Sequence, residues 1–141
     1  MRSLYNSFII AVSIYSRIPM PKVEWSQKNM KYILCFFPVI GVVIGALFYA
    51  WGRICMACGF GQVCFALFGT VIPIAVTGGV HLDGFMDTAD ALHSSEKKEK
   101  KLAILKDPYV GAFGVIALVG YCFLYGAGLT QIWQTEHLLL L

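Results

Sequence analysis

Three stretches of this chain carry no charged side chain: Ile33 to Gly52, Phe60 to Val80 and Tyr109 to Trp133, which are twenty, twenty-one and twenty-five residues long. A helix needs about 20 apolar residues to cross about 30 Å of hydrocarbon. Each stretch therefore predicts a transmembrane helix, over 33–52, 60–80 and 109–133. The charges are correspondingly crowded. Apart from Arg2, Arg53 and Glu136, every Lys, Arg, Asp and Glu falls within residues 17–31 or 83–107. With 58% of residues hydrophobic and 13% charged, the chain lies far from the about 45–50% and about 25% of a soluble domain. A compact domain of about 150 residues buries only about 70% of the surface its unfolded chain exposes, so this much apolar surface needs lipid. A secreted disulfide scaffold, a disordered tail and a nucleic-acid module are excluded, and a net charge of +3 is too dispersed to follow a phosphate backbone. The expected fold is all-α: one polytopic integral membrane domain, 1–141.

The first sixteen residues differ from the spans. Leu4, Phe8, Ile9, Val12 and Tyr15 recur at helical spacing, and the run stops at Arg17-Ile18-Pro19-Met20-Pro21, where two prolines forbid continuation. The segment is short for a span and has no small-residue cleavage site, so it reads as an interfacial or half-inserted helix over 1–16. Orientation follows from the basic residues: Arg17, Lys22, Lys28 and Lys31 before the first span, Arg53 alone in a loop expected at 53–59, and Lys97, Lys98, Lys100, Lys101 and Lys106 in the segment 81–108. The positive-inside rule puts the first and third groups in the cytoplasm and the chain end near Glu136 outside, as in a multi-pass membrane protein. Gly41 and Gly45 form a G-x-x-x-G pair, which either admits a close helix neighbour or is simply part of a glycine-rich span. Cys55 and Cys58 match C-x-x-C, but no second ligand pair accompanies them, and small membrane-buried side chains account for the five cysteines.

The chemistry is concentrated in Thr77-Gly-Gly-Val-His-Leu-Asp-Gly-Phe-Met-Asp-Thr-Ala-Asp90. Asp83, Asp87 and Asp90 sit at i, i+4 and i+7, at about 0°, 40° and −20° around a helix, so they share one narrow face. Like charges at that spacing repel, and a stripe of them beside a membrane span calls for a cation. Oxygen ligands favour Mg²⁺, Mn²⁺ or Ca²⁺, and Mg²⁺ commonly binds one or two carboxylates together with substrate phosphate. The plain alternative is a solvated acidic face. Gly78-Gly79 is positioned to break the preceding helix, and an ionisable cluster at a membrane boundary points to function. His81 lies about 160° from Asp83 on a continuous helix, so it joins the stripe only if the glycine pair distorts the backbone; a base, a ligand and a structural imidazole all stay open for it. Downstream, Lys106-Asp-Pro-Tyr-Val-Gly-Ala-Phe-Gly114 leads into the last span. There Lys106 is placed to meet a phosphate, Asp107 to ligate metal or cap the next helix, and Gly111 and Gly114 to admit a close neighbour. The hydrophilic run Ser94 to Lys101 reads as a solvated loop or helix start whose lysines also suit anionic headgroups. Together these groups suit either phosphoryl-linked transfer or a cation path.

These segments resemble the cobalamin synthase family, adenosylcobinamide-GDP ribazoletransferases. The resemblance rests on Ser16-Arg-Ile-Pro-Met-Pro21, Phe36-Phe-Pro-Val-Ile-Gly41, the string from Thr77 to Asp90, and Leu105-Lys-Asp-Pro-Tyr-Val-Gly-Ala-Phe-Gly114, in that order along most of the chain. The G-G-x-H-x-D-G-x-x-D-T-A-D portion is the specific one. The resemblance implies a late step of vitamin B12 assembly, in which α-ribazole or its 5′-phosphate displaces GMP from adenosylcobinamide-GDP to form adenosylcobalamin or its phosphate, with Mg²⁺ as the metal. It assigns Asp83, Asp87 and Asp90 to metal and diphosphate binding, with Asp87 also catalytic, His81 to the base acting on the ribose hydroxyl, and Lys106, Asp107 and Gly111 to substrate, Lys106 steadying the departing phosphate. It also implies a longer protein with further spans and a Gly-Asp-containing motif, so the chain reads as a fragment, a truncated gene or a split subunit. The partners are the two substrates and the bilayer, with no nucleic acid; oligomeric state is not encoded in the pattern.

Two other functions fit the same residues less well. A CDP-alcohol-type phosphotransferase begins D-x-x-D-G and continues to A-R, which Asp83-Gly84 and Ala89-Asp90 do not match. A cation transporter, the reading furthest from an enzyme along with a non-catalytic membrane subunit, commonly has internal repeats or mid-span carboxylates, and neither is present in the three predicted spans.

Overall fold

The computed structural model describes residues 2–136, and every regular element among them is helical. In chain order these are α1 (Arg2–Tyr15), α2 (Gln27–Met30), a 3₁₀ turn (Ile33–Phe36), α3 (Phe37–Cys58), α4 (Gln62–Thr77), α5 (Val80–His93), α6 (Lys98–Ile104) and α7 (Ala112–Glu136). Among the described residues two helical stretches are long and apolar enough to cross a membrane, Gln27–Cys58 and Ala112–Trp133; α4 with α5 makes a third if the bent pair counts as one broken span. The all-α polytopic expectation is met. His137 and the leucines after it lie outside the described residues.

Contacts group the residues into two units, the first running to Gly61 and including Val71–Gly78, the second comprising Gln62–Thr70 and the chain from Gly79 onward. In the first unit, α1 packs on α2, the 3₁₀ turn and α3. Ile10, Ala11 and Ile33 are buried together, with Ile14, Tyr15, Val23 and Phe36 around them. Phe8 meets Phe36 edge-on at 5.6 Å, and Tyr15 meets Phe37 at 5.0 Å. Polar groups are satisfied inside this packing: Ser7 Oγ donates to the Asn29 carbonyl, and Asn29 Nδ2 donates to the Glu24 carbonyl at 2.9 Å. Nearly a whole turn of α1, Ile9 to Val12, is thus covered by protein, while Leu4 and Tyr5 stay exposed.

Both ends of the first predicted span move. The helix extends through Gly52 to Cys58 and ends on Gly59, whose φ of 69° is left-handed. Phe60 N–H closes the end by donating to the Cys55 carbonyl at 2.8 Å, with Gly59 N–H on the Met56 carbonyl at 3.4 Å, a Schellman arrangement. Arg53 therefore lies within α3, and the connecting loop is shorter than the 53–59 expected. A long basic side chain extends to the interface from inside a helix, so a charge did not mark the helix end. Gly41 and Gly45 have no neighbouring atom within 4 Å of an added Cβ, so among the described residues this pair makes no close helix contact.

The second predicted span, 60–80, ends early. α4 stops at Thr77 and is followed by Gly78 and Gly79, both left-handed at φ 66° and 78°. Two successive residues in that region cannot continue a right-handed helix, and only glycine adopts it without a Cβ penalty. The chain direction changes by 97° between α4 and α5. In the first unit, Arg17 N–H donates to the Val76 carbonyl at 2.8 Å, and a Cβ on Gly78 would run into the Arg17 side chain. The R-I-P-M-P segment therefore seats against the end of α4. In the second unit, α5 packs along α7 and on α6, Phe65 of α4 lies 5.0 Å from Trp133, and Phe85 lies 6.1 Å from Tyr121.

Candidate functional site

The acidic motif forms a single unbroken helix. Asp83 N–H donates to the Gly79 carbonyl at 2.8 Å, so the first intrahelical bond of α5 starts at the second glycine of the break. Asp83 falls in the first turn, where the positive end of the helix dipole favours a carboxylate. Because α5 is regular from Val80 to His93, Asp83, Asp87 and Asp90 share one face and His81 points about 160° away from Asp83. The structure brings the three aspartates onto one side of a helix and leaves His81 off that side.

The three carboxylates have different surroundings. Asp83 is exposed and Asp87 half-buried, and among the described residues neither carboxylate has a hydrogen-bond or ion-pair partner. Asp90 is 9% exposed and uses both oxygens: Oδ2 accepts Gly111 N–H and Oδ1 accepts Gly114 N–H, both at 2.8 Å. Val115 N–H donates to the Gly111 carbonyl at 3.3 Å, which makes Gly111 the N-cap of α7 and Gly114 the third helical residue. Those are the two amides that a capping box satisfies with local side chains. Here one carboxylate from α5 supplies both acceptors. An added Cβ on Gly111 would collide with the Asp90 carboxyl group, and one on Gly114 would collide with that group and with Met86. Glycine at both positions is what lets the two helices approach this closely.

The other expected contributors fall around this junction. Asp107 was expected to ligate metal or cap α7; instead its Oδ1 accepts Tyr109 N–H at 3.0 Å in an exposed turn, and Asp90 takes the cap. Gly111 was expected to contact substrate, but its amide is committed to Asp90. Lys106 is exposed in the turn after α6. Among the described residues no group of three or more His, Cys, Asp and Glu side chains is arranged to hold a metal ion; the expected set of Asp83, Asp87 and Asp90 does not converge, because Asp90 turns to the Gly111 and Gly114 amides.

Sequence reasoning missed two further contacts. His93 stacks on Phe113 with ring centroids 5.1 Å apart, and its Nδ1 lies 2.9 Å from the Ala89 carbonyl. Lys101 Nζ donates to the Leu92 carbonyl at 3.1 Å, satisfying an orphan acceptor at the end of α5. Basic residues near a helix C-terminus were the available signal for Lys101. Nothing local foretold the His93 stack, because Phe113 is twenty residues away along the chain.

Comparison with known proteins places these observations in a lineage. The family model described as cobalamin-5-phosphate synthase matches residues 7–141. A protein of Lachnoclostridium phytofermentans named adenosylcobinamide-GDP ribazoletransferase is 46% identical over 120 residues, covering 85% of this chain and 46% of that protein. Proteins of the same name from Clostridium perfringens and Listeria monocytogenes are 40% and 36% identical, each match covering 94% of this chain and 53% or 54% of the relative. The chain thus spans about half the length of the curated relatives it matches. No solved structure matches it. With residues 7–141 inside the family model and relatives at 40–46% identity, the chain belongs to the cobalamin-5-phosphate synthase family.

Proposed function

We propose that this chain supplies the cation- and diphosphate-holding part of a membrane transferase. In this reading α-ribazole, or its 5′-phosphate, is joined to adenosylcobinamide-GDP with release of GMP, giving adenosylcobalamin or its phosphate. The names of the relatives support the substrates. The observation that carries the chemistry is the pair Asp83 and Asp87, two carboxylates one helical turn apart with no protein partner among the described residues.

The donor set fits Mg²⁺, which commonly takes one or two carboxylates and completes its shell with water and substrate phosphate. Asp83 and Asp87 would hold the ion, and its contribution when bound is to neutralise charge on the diphosphate as the phosphoryl bond changes partners. The helix itself adds the positive end of its dipole beside Asp83. Lys106 is the cation proposed to steady the departing phosphate. A base role for His81 would need substrate on the opposite side of α5, so it is no part of this proposal. The basic residues of 17–31 and 97–106 against Arg53 alone support a cytoplasmic site in the inner membrane of a bacterium. The short α1 fits an interfacial position there.

Complementation tests the reading. A strain lacking cobalamin synthase and supplied with cobinamide is expected to grow when given a full-length relative in which this sequence replaces the matching half, and to fail when that protein carries Asp87→Asn. Undiminished GMP release by the purified Asp87→Asn enzyme would remove the carboxylate pair from the mechanism. Running the 141-residue chain beside a full-length relative shows how much of the activity these residues hold.

A further inference from the structure

We propose that Asp90 is a positioning residue that clamps α5 to the start of α7, and that the ion-holding set is Asp83 and Asp87 without it. The three aspartates look equivalent on a helical wheel, but only Asp90 has both oxygens on backbone amides, at 2.8 Å each. Its neighbours Ala89 and Ala91 are buried with it, so the carboxylate sits in the helix–helix seam. The receiving side is built to match. Gly111 and Gly114 occupy the N-cap and third positions of α7, and neither has room for a Cβ beside that carboxylate.

Each Asp90 oxygen keeps a second lone pair, but the residue is only 9% exposed and both oxygens turn into the seam, so a hydrated cation reaches them only if the clamp opens and its two amides are freed. Hydrogen bonds to a charged acceptor are the strong class, and a donor left unsatisfied in a buried seam carries the full desolvation penalty. The α7 dipole also favours the carboxylate where it is. Pinning Asp90 fixes the rotation of α5 about its axis, and Asp87, three residues earlier, takes its direction from that pin. The His93–Phe113 stack holds the same junction from the next turn. Asp90 therefore acts through Asp87 and Asp83 rather than on the ion.

This inference rests on the proposed function only in naming Asp83 and Asp87 as the ligand pair; the clamp is read from backbone amides. The chain in lipid nanodiscs, with Mn²⁺ as the probe, separates the two ideas. Asp90→Ala is expected to raise hydrogen exchange of the Gly111 and Gly114 amides by about tenfold or more, while Asp83→Asn and Asp87→Asn leave those amides protected. Saturating Mn²⁺ is expected to leave the wild-type protection unchanged. Mn²⁺ affinity should fall by about tenfold in Asp87→Asn and by less than about threefold in Asp90→Asn. If Asp90→Ala does not fold, Asp90→Asn decides, because a single amide oxygen replaces two acceptors and at least one glycine amide should lose protection. Wild-type exchange in both Asp90 variants, or deprotection of Gly111 and Gly114 on adding Mn²⁺, would overturn the clamp. Failure of the wild-type chain to bind Mn²⁺ counts against the proposed function, and the exchange arm then decides the clamp alone.

Discussion

The two ends of α5 carry the same residue type on the same face and give it opposite environments. Asp83 and Asp87, toward the N-terminus, have carboxylates with no protein partner among the described residues; Asp90, toward the C-terminus, is buried with each oxygen on an amide. The difference comes from what lies across the helix. Near Asp90 the facing backbone belongs to two glycines and comes within hydrogen-bond distance, whereas Asp83 is exposed and Asp87 half-buried. Position on a helical wheel therefore selects which residues share a side but does not assign their work.

The largest expected effect breaks the comparison at its open end. On the proposed function, Asp87→Asn should lower GMP release by roughly 10²–10³-fold while leaving thermal stability in detergent nearly unchanged, since no protein contact is lost. Steady-state assays with a parallel melting curve check both halves. A matching loss of stability would mean that Asp87 is structural like Asp90, and the contrast between the two ends would disappear.

At the closed end the dominant effect should be on folding. Gly114→Ala forces a Cβ against the Asp90 carboxylate and the Met86 carbonyl, the latter at 3.0 Å. Overpacking of this kind costs about 1–3 kcal/mol, and displaced charge-assisted hydrogen bonds add about 1.5–3 kcal/mol. A double-mutant cycle with Asp90→Ala is the sharper form: the two substitutions damage one contact, so the double variant should be less destabilised than the sum by about 1 kcal/mol or more. Strict additivity in thermal melts would show that the carboxylate and the glycine do not share an interaction.

This contrast explains which features were legible in the sequence. Charge-free length located the helices, because the cost of lipid exposure acts on every residue of a span. It misplaced their ends, because ends are set by local backbone: Gly59 stops α3 beyond Arg53, and Gly78 with Gly79 stops α4 at Thr77 inside an apolar run. The acidic stripe was visible from spacing alone, as helical geometry fixes it. The role of Asp90 was not, since its partners are amides twenty-one and twenty-four residues away. One clue was present: Gly111-Ala-Phe-Gly114 starts α7 with glycine at both amides a capping box would use, so the acceptor had to come from elsewhere. Asp107, nearer along the chain, was the natural choice and is occupied with Tyr109.

A smaller effect tests the entrance to α5. Gly78 is left-handed, and its Cβ position is filled by the Arg17 side chain. Gly78→Ala should cost about 1–2 kcal/mol from the backbone alone, with part of the crowding relieved because Arg17 is long and flexible. Gly79, equally left-handed but with nothing within 4 Å of an added Cβ, should show the backbone cost only. The difference between the two alanine variants thus isolates the Arg17 contact, and Arg17→Ala should bring Gly78→Ala close to Gly79→Ala in thermal melts. If the two variants already match with Arg17 in place, the guanidinium stem gives way freely. The R-I-P-M-P segment would then be held to α4 mainly by the Arg17 amide on the Val76 carbonyl.

The smallest effect belongs to Asp107. Its carboxylate accepts a single amide in an exposed turn, where water replaces the lost acceptor readily. Asp107→Ala should therefore cost no more than about 0.5–1 kcal/mol, against the larger loss at Asp90, where the same kind of acceptor serves two amides, one buried and one half-buried. Comparing Asp107→Ala with Asp90→Ala by melting curve keeps chemistry constant and varies only burial and the number of amides held. A cost at Asp107 equal to that at Asp90 would mean that α7 is capped from the preceding turn, and the cross-helix carboxylate would lose its claim to hold the two helices together.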